Sequence, residues 1–170
     1  MKLPPTFTDT KNQIHAVIES PQGSRHKYVY NPESDFFELK KILPSGTSFP
    51  LDYGFVPHTL GEDGDPIDVM VISDAPLFPG CIVESRVVGV FMVKQKENGS
   101  KAVRNDVHLA VATASFNHSD IKDISDINVR LLDEVAHFFK YYHEMEGKTF
   151  HILKKGNKTT SLELLKKGMV

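Results

Sequence analysis

The segment GEDGDPIDVMVI (61–72) places four carboxylates, Glu62, Asp63, Asp65 and Asp68, within seven positions and then turns apolar. Two carboxylates ~4 Å apart repel by about 4 kcal/mol at an effective dielectric of ~20. A fold gathers several of them only where a cation or shared protons offset the charge. The donors here are all hard oxygens, with no Cys or His among them, which favours Mg²⁺, Mn²⁺ or Ca²⁺ over zinc. An EF-hand does not fit: Ile67 and Asp68 stand where that loop needs an oxygen ligand and a glycine, and Pro66 interrupts it. Asp68 heads the run Val69–Ile72, which reads as a buried strand and would fix it well as a ligand. An Asp-Gly-Asp turn exposed to solvent is equally good turn chemistry, and on these residues alone both readings stand.

Outward from this segment, His15–Glu19 and His26–Tyr30 read as strands separated by the turn PQGS. Val17 and Glu19 share one face of the first; Lys27 and Val29 share a face of the second, opposite Tyr28 and Tyr30. Phe36–Leu43 reads as a further strand pair, Cys81–Val93 as a long strand and His108–Thr113 as another. In NVRLLDEVAHFFKYYHEMEG (128–147), Leu131, Leu132, Val135, Phe138, Phe139 and Tyr142 recur at helical spacing. Asp126 is the expected cap of its start and Gly147 of its end. A shorter helix is expected over Thr160–Lys167. Many short strands followed by one long helix and one or two short ones predict an α+β fold with a barrel-like sheet.

The 170 residues suit one domain, residues 1–170, with residues 1–12 expected as a loose N-terminal arm. A net charge of −2 supplies no general attraction to nucleic acid or an anionic membrane. No apolar run approaches the ~20 residues of a membrane helix, and the N-terminus lacks the pattern of a secretory signal. A single cysteine, Cys81, excludes an internal disulfide and suits a reducing, cytoplasmic setting.

The acidic segment EDGDPIDV (62–69) resembles the signature of the soluble family I inorganic pyrophosphatases. FPLDYGFVPHT (49–59), PLFPG followed by VVGV (76–90), AHFFKYYHEMEGK (136–148), HAVIESP (15–21) and HKYVY (26–30) resemble its other segments, in order. The resemblance implies a small closed β-barrel, OB-like and flanked by helices, and Mg²⁺-dependent hydrolysis of pyrophosphate to two phosphates, with Mn²⁺ as a substitute. It also implies a homo-oligomer, a hexamer in preference to a dimer.

Carried onto this chain, the resemblance makes Asp63, Asp68 and Asp106 the first metal's ligands, with Asp68 also facing a second ion and Glu19 acting through metal-bound water. Asp65 becomes the general base. Lys27 and Tyr142 bind phosphate oxygens, and Tyr53 orients the side from which the nucleophile comes. Taken singly, these residues also read as a solvent-facing lysine, a core tyrosine and a turn aromatic.

The departures from the pattern fall in the site. Val29 stands for a glutamate, Phe49 for a tyrosine, and Gln95 and Lys96 for an acidic pair, with Glu97 as a candidate replacement. Lys41 stands for a phosphate-binding arginine and loses the bidentate fork. His108 and His143 replace two lysines of the substrate site. With a reference pKa of ~6.5, these histidines imply phosphate binding that weakens above neutral pH and a more acidic optimum. The alternatives are a non-catalytic metal- or phosphate-binding relative on the same fold and a hydrolase of another phosphoanhydride.

Overall fold

The computed structural model of the chain describes residues 2–10, 12–97 and 99–170. Its strands are β1 (Gln13–Ser20), β2 (His26–Asn31), β3 (Phe36–Ile42), β4 (Asp52–Phe55), β5 (Asp68–Ile72), β6 (Ile82–Glu97), β7 (Val103–Arg104), β8 (Val107–Ala112) and β9 (Lys148–Asn157). The helices are α1 (Val129–Met145) and α2 (Lys158–Lys167). The result is an α+β fold.

Strand β5 explains why an acidic turn runs straight into apolar residues. It lies inside a mixed sheet, antiparallel to β4 and parallel to β8. Successive side chains point to opposite faces. Met70 and Ile72 join one core, which α1 covers with Leu132, Val135, Phe138 and Phe139. Val69 and Val71 join a second core, which α2 covers with Leu162 and Leu165. Both faces are therefore dry, and the sequence is apolar without alternation. Burying each such side chain contributes about 1.5–3 kcal/mol. From β5 the pairing runs through β4 to β1 on one side and through β8 to β6 on the other, and β1 also pairs with β6. β6 carries β7 and β9 as well, while β2 and β3 form a separate hairpin.

Gly54 makes the β1–β4 contact feasible. A Cβ there would lie 1.9 Å from the Val17 carbonyl oxygen, so no other residue lets β4 approach β1 this closely.

Several expectations shift. Phe36–Ile42 is one strand pairing with β2, not a strand pair of its own. The cap of α1 is Asn128, whose side chain accepts from the Arg130 N–H at 2.8 Å. Asp126 instead closes the preceding 3₁₀ turn, accepting from the N–H groups of Lys122 and Asp123. Gly147, at φ 70°, follows the helix end. The N-terminal segment is docked, not loose. Thr6 is buried and its hydroxyl donates to the Pro57 carbonyl at 2.8 Å, and His15 N–H donates to the Thr6 carbonyl. Within that expected arm, Met1 and Lys11 lie outside the described residues. No helix among the described residues is long and apolar enough to cross a membrane.

Candidate active site

A cleft of about 590 Å³ opens where the acidic turn, the β2–β3 hairpin and the end of α1 meet. Gly64, at φ 91°, and a hydrogen bond from Gly61 N–H to the Asp65 carbonyl (2.7 Å) fold the turn back on itself. This presents Asp63 and Asp65 to the cleft, and the head of β5 presents Asp68. Glu19 arrives from β1, Lys27 from β2, Lys41 from β3, Tyr53 from β4, and Tyr142 and His143 from α1. Nine of the eleven residues singled out from the sequence thus line one cleft; Asp106 and His108 line the neighbouring one.

The electrostatics of the inner site follow from burial. Loss of water pushes the Asp68 carboxyl from its ordinary 3.8 up to about 7; Lys27 and the Tyr53 hydroxyl, which donates to it, oppose the rise, while Glu19 and Asp63 add to it. Burial also raises Glu19, against Lys27 and the Tyr30 N–H, which donates to it at 2.8 Å. Asp63 is raised as well, first by burial. Lys27 is lowered by burial and held up by Glu19 and Asp68; its ammonium sits 4.0 Å from the centroid of the Tyr53 ring. Tyr53, buried beside these anions, is held well above its usual range and stays a hydroxyl donor. Five carboxylates face four lysines around the cleft. A polyanion entering this surplus of negative charge needs further cations, and the all-oxygen donor set fits a hard divalent ion.

Of the expected metal set, Glu19, Asp63 and Asp68 line this cleft, and Asp106 lines the neighbouring one together with Asp63. Among the described residues no three acidic, His or Cys groups stand together as a ready metal cluster. Each of these carboxylates accepts hydrogen bonds from the protein. Asp106 accepts from Arg104 Nε (3.0 Å) and Nη2 (2.6 Å) and from the Val93 N–H (2.8 Å). It faces a smaller cleft of about 190 Å³, which Asp63 also lines.

His108 does not reach the substrate cleft. It is buried in β8, with Nδ1 2.7 Å from Ser161 Oγ on α2, and burial lowers its pKa to about 4. Side-chain alternation turns it towards the α2 side while Val107 and Leu109 face α1. His143 does line the cleft, stacked on Phe150 with ring centroids 4.6 Å apart. Its Nδ1–H donates to the Phe139 carbonyl at 2.8 Å, and burial lowers its pKa too. Burial thus disfavours the charged form of both rings, and only His143 stands where it could meet substrate.

Sequence reasoning missed four contributors. Glu146 and Lys148 line the cleft; the four-residue spacing from Tyr142 to Glu146 was their only signal. Arg104 carried none beyond its proximity to Asp106. Asp52, next to Tyr53 in β4, is fully buried and accepts from the Gln22 N–H, the Leu77 N–H and the Ser73 hydroxyl. The departures Val29, Lys41, Phe49 and Gln95 all line the cleft, whereas Glu97 pairs with Lys148 at 2.6 Å.

An acidic, all-oxygen centre fringed by lysines suits a class of proteins that bind phosphate together with a hard divalent ion, and the comparisons narrow it to one family. The family model for inorganic pyrophosphatase matches residues 16–170. The inorganic pyrophosphatase of Thermus thermophilus is 38% identical over 148 residues, covering 87% of this chain and 82% of the relative. That of Synechocystis is 39% identical over 140 residues, covering 82% and 80%. A crystal structure of the Thermus thermophilus enzyme superposes with a TM-score of 0.89 at 33% identity, covering 97% of this chain and 94% of that one. The Helicobacter pylori enzyme gives 0.88 at 31% identity, covering 99% and 96%. The chain belongs to the inorganic pyrophosphatase family.

Proposed function

We propose that this chain is a hydrolase that cleaves inorganic pyrophosphate to two phosphates with Mg²⁺, for which Mn²⁺ can substitute. The observation that carries the reading is the convergence of Glu19, Lys27, Tyr53, Asp63, Asp65 and Asp68 in one cleft. Asp63 and Asp68 are the residues that would hold the ion, with Glu19 nearby and Asp106 available once it leaves Arg104. When bound, the metal neutralises substrate charge and acidifies water. Asp65, exposed at the mouth, takes the proton of the attacking water as its oxygen bonds to phosphorus and the bridging P–O bond breaks. Lys27, Lys41 and Tyr142 hold phosphate oxygens, and His143 lines the wall beside them. The Tyr53 hydroxyl fixes Asp68.

The same reading takes residues 1–170 as one domain. It takes the pairing circuit β1–β4–β5–β8–β6–β1 as a small closed, OB-like barrel, supported by those five pairings. Assembly as a homo-oligomer, a hexamer before a dimer, is part of the same reading and rests on membership of the family. A cytoplasmic setting is supported by the free thiol of Cys81.

Phosphate release from pyrophosphate in Mg²⁺ buffer tests the reading, with Asp65→Asn and Asp68→Asn beside the parent. Release abolished by both substitutions supports it. Metal binding without turnover points to a non-catalytic relative, and release only from other phosphoanhydrides points to a changed substrate.

A further inference from the structure

Lys41 is held on two sides. Its ammonium lies 3.9 Å from the centroid of the Tyr142 ring and is hydrogen-bonded to the Glu146 carboxylate. Tyr142 and Glu146 are one helical turn apart on α1, so the helix presents ring and carboxylate as a pair. Glu146 caps the C-terminal end of that helix, its N–H bonded to the carbonyls of Glu144 and His143. Its second oxygen lies 4.0 Å from Lys148, at the start of β9. The carboxylate is therefore pinned at the cleft wall between two lysines, and only half-buried.

A phosphate oxygen that binds Lys41 meets a carboxylate already there. Two anions on one ammonium repel, so one must leave. Lys148, which pairs with Glu97 at 2.6 Å and lies 4.0 Å from Glu146, is the cation placed to receive it as a second anionic partner.

We infer that Glu146 is a resident anion that competes with substrate and product phosphate for Lys41, and that it passes to Lys148 when phosphate binds. The inference rests on the proposed reading of the cleft as a phosphate site. It makes Glu146 a positioning residue that weakens the binding of both pyrophosphate and phosphate, and so favours product release.

Calorimetric titration with inorganic phosphate and with methylenediphosphonate, a non-hydrolysable analogue, tests this without turnover. Glu146→Gln keeps the shape and removes the charge. It is expected to tighten both ligands about two- to fivefold, the scale of a partly screened ion pair, and to lower KM more than it changes kcat. Lys148→Gln is expected to weaken both ligands in the parent and to have no effect in the Glu146→Gln background. Unchanged or weaker binding in Glu146→Gln overturns the competition. An equal loss from Lys148→Gln in both backgrounds overturns the transfer and makes Lys148 a direct phosphate ligand. Absence of binding by parent and variants alike overturns the phosphate reading of the cleft, and this inference with it.

Discussion

Arg104 grips Asp106 through two nitrogens, Nε to Oδ1 at 3.0 Å and Nη2 to Oδ2 at 2.6 Å. Asp106 directly precedes Val107, which pairs across the parallel β5–β8 ladder with Asp68. The two carboxylates thus belong to adjacent strand heads, yet the guanidinium holds one of them in the neighbouring cleft. Arg104→Gln is expected to tighten Mg²⁺ or Mn²⁺ binding by about two- to tenfold, the scale set by losing a partly exposed bidentate pair. Calorimetric metal titration reads this. Adding Asp106→Asn to Arg104→Gln should erase the gain.

Asp68 links stability to pH. Its folded pKa of about 7 lies above the ordinary 3.8, so between those values the folded chain binds more protons than the unfolded one. Its stabilising contribution is full at the acid end of that window and is lost as pH rises through about 7. Asp68→Asn, in chelator, is therefore expected to raise the melting temperature relative to the parent near pH 8, with the difference shrinking near pH 5. A melting difference that grows towards acid would refute the burial argument.

His108 and Ser161 form a buried pair that joins β8 to α2. The ring's pKa of about 4 lies below its usual 6.5. Its contribution is complete above about 6.5 and is lost as pH falls through about 4. Ser161→Ala leaves the ring without its partner and is expected to cost about 1–3 kcal/mol of stability by denaturant titration. Because the pair lies outside the substrate cleft, kcat/KM should stay within about twofold, below the threefold that ~0.65 kcal/mol would give. A steep loss of activity at full folding would return His108 to the site.

Gly54→Ala is expected to abolish soluble expression or to lower stability by more than about 3 kcal/mol, because its methyl group would overlap the Val17 carbonyl. A melting temperature close to the parent's would show that β4 can retreat from β1 without harm to Tyr53.

Patterning made part of this molecule legible. The apolar run after Asp68 marked a strand dry on both faces, and the spacing of Leu132, Val135, Phe138 and Phe139 marked α1. β9 was not visible because its sequence, KTFHILKKGN, is mostly exposed and pairs only with β6. β4 was hidden because four residues around Gly54 read as a turn. In the site, the carboxylates and Lys27 were legible as residue types. The hydroxyl on His108 and the carboxylate on Lys41 come from elements distant in sequence, and one-dimensional spacing does not encode them; the guanidinium on Asp106 comes from two residues away, where an Arg beside an Asp carries no sign that the two will pair.

The most direct measurement is a ³¹P NMR time course of pyrophosphate with the purified chain and Mg²⁺, run beside Asp65→Asn. The expected result is replacement of the pyrophosphate resonance by that of inorganic phosphate alone, with Asp65→Asn binding the metal but leaving pyrophosphate intact. Persistence of pyrophosphate with folded, Mg²⁺-binding parent protein would contradict the assignment of hydrolysis to this cleft.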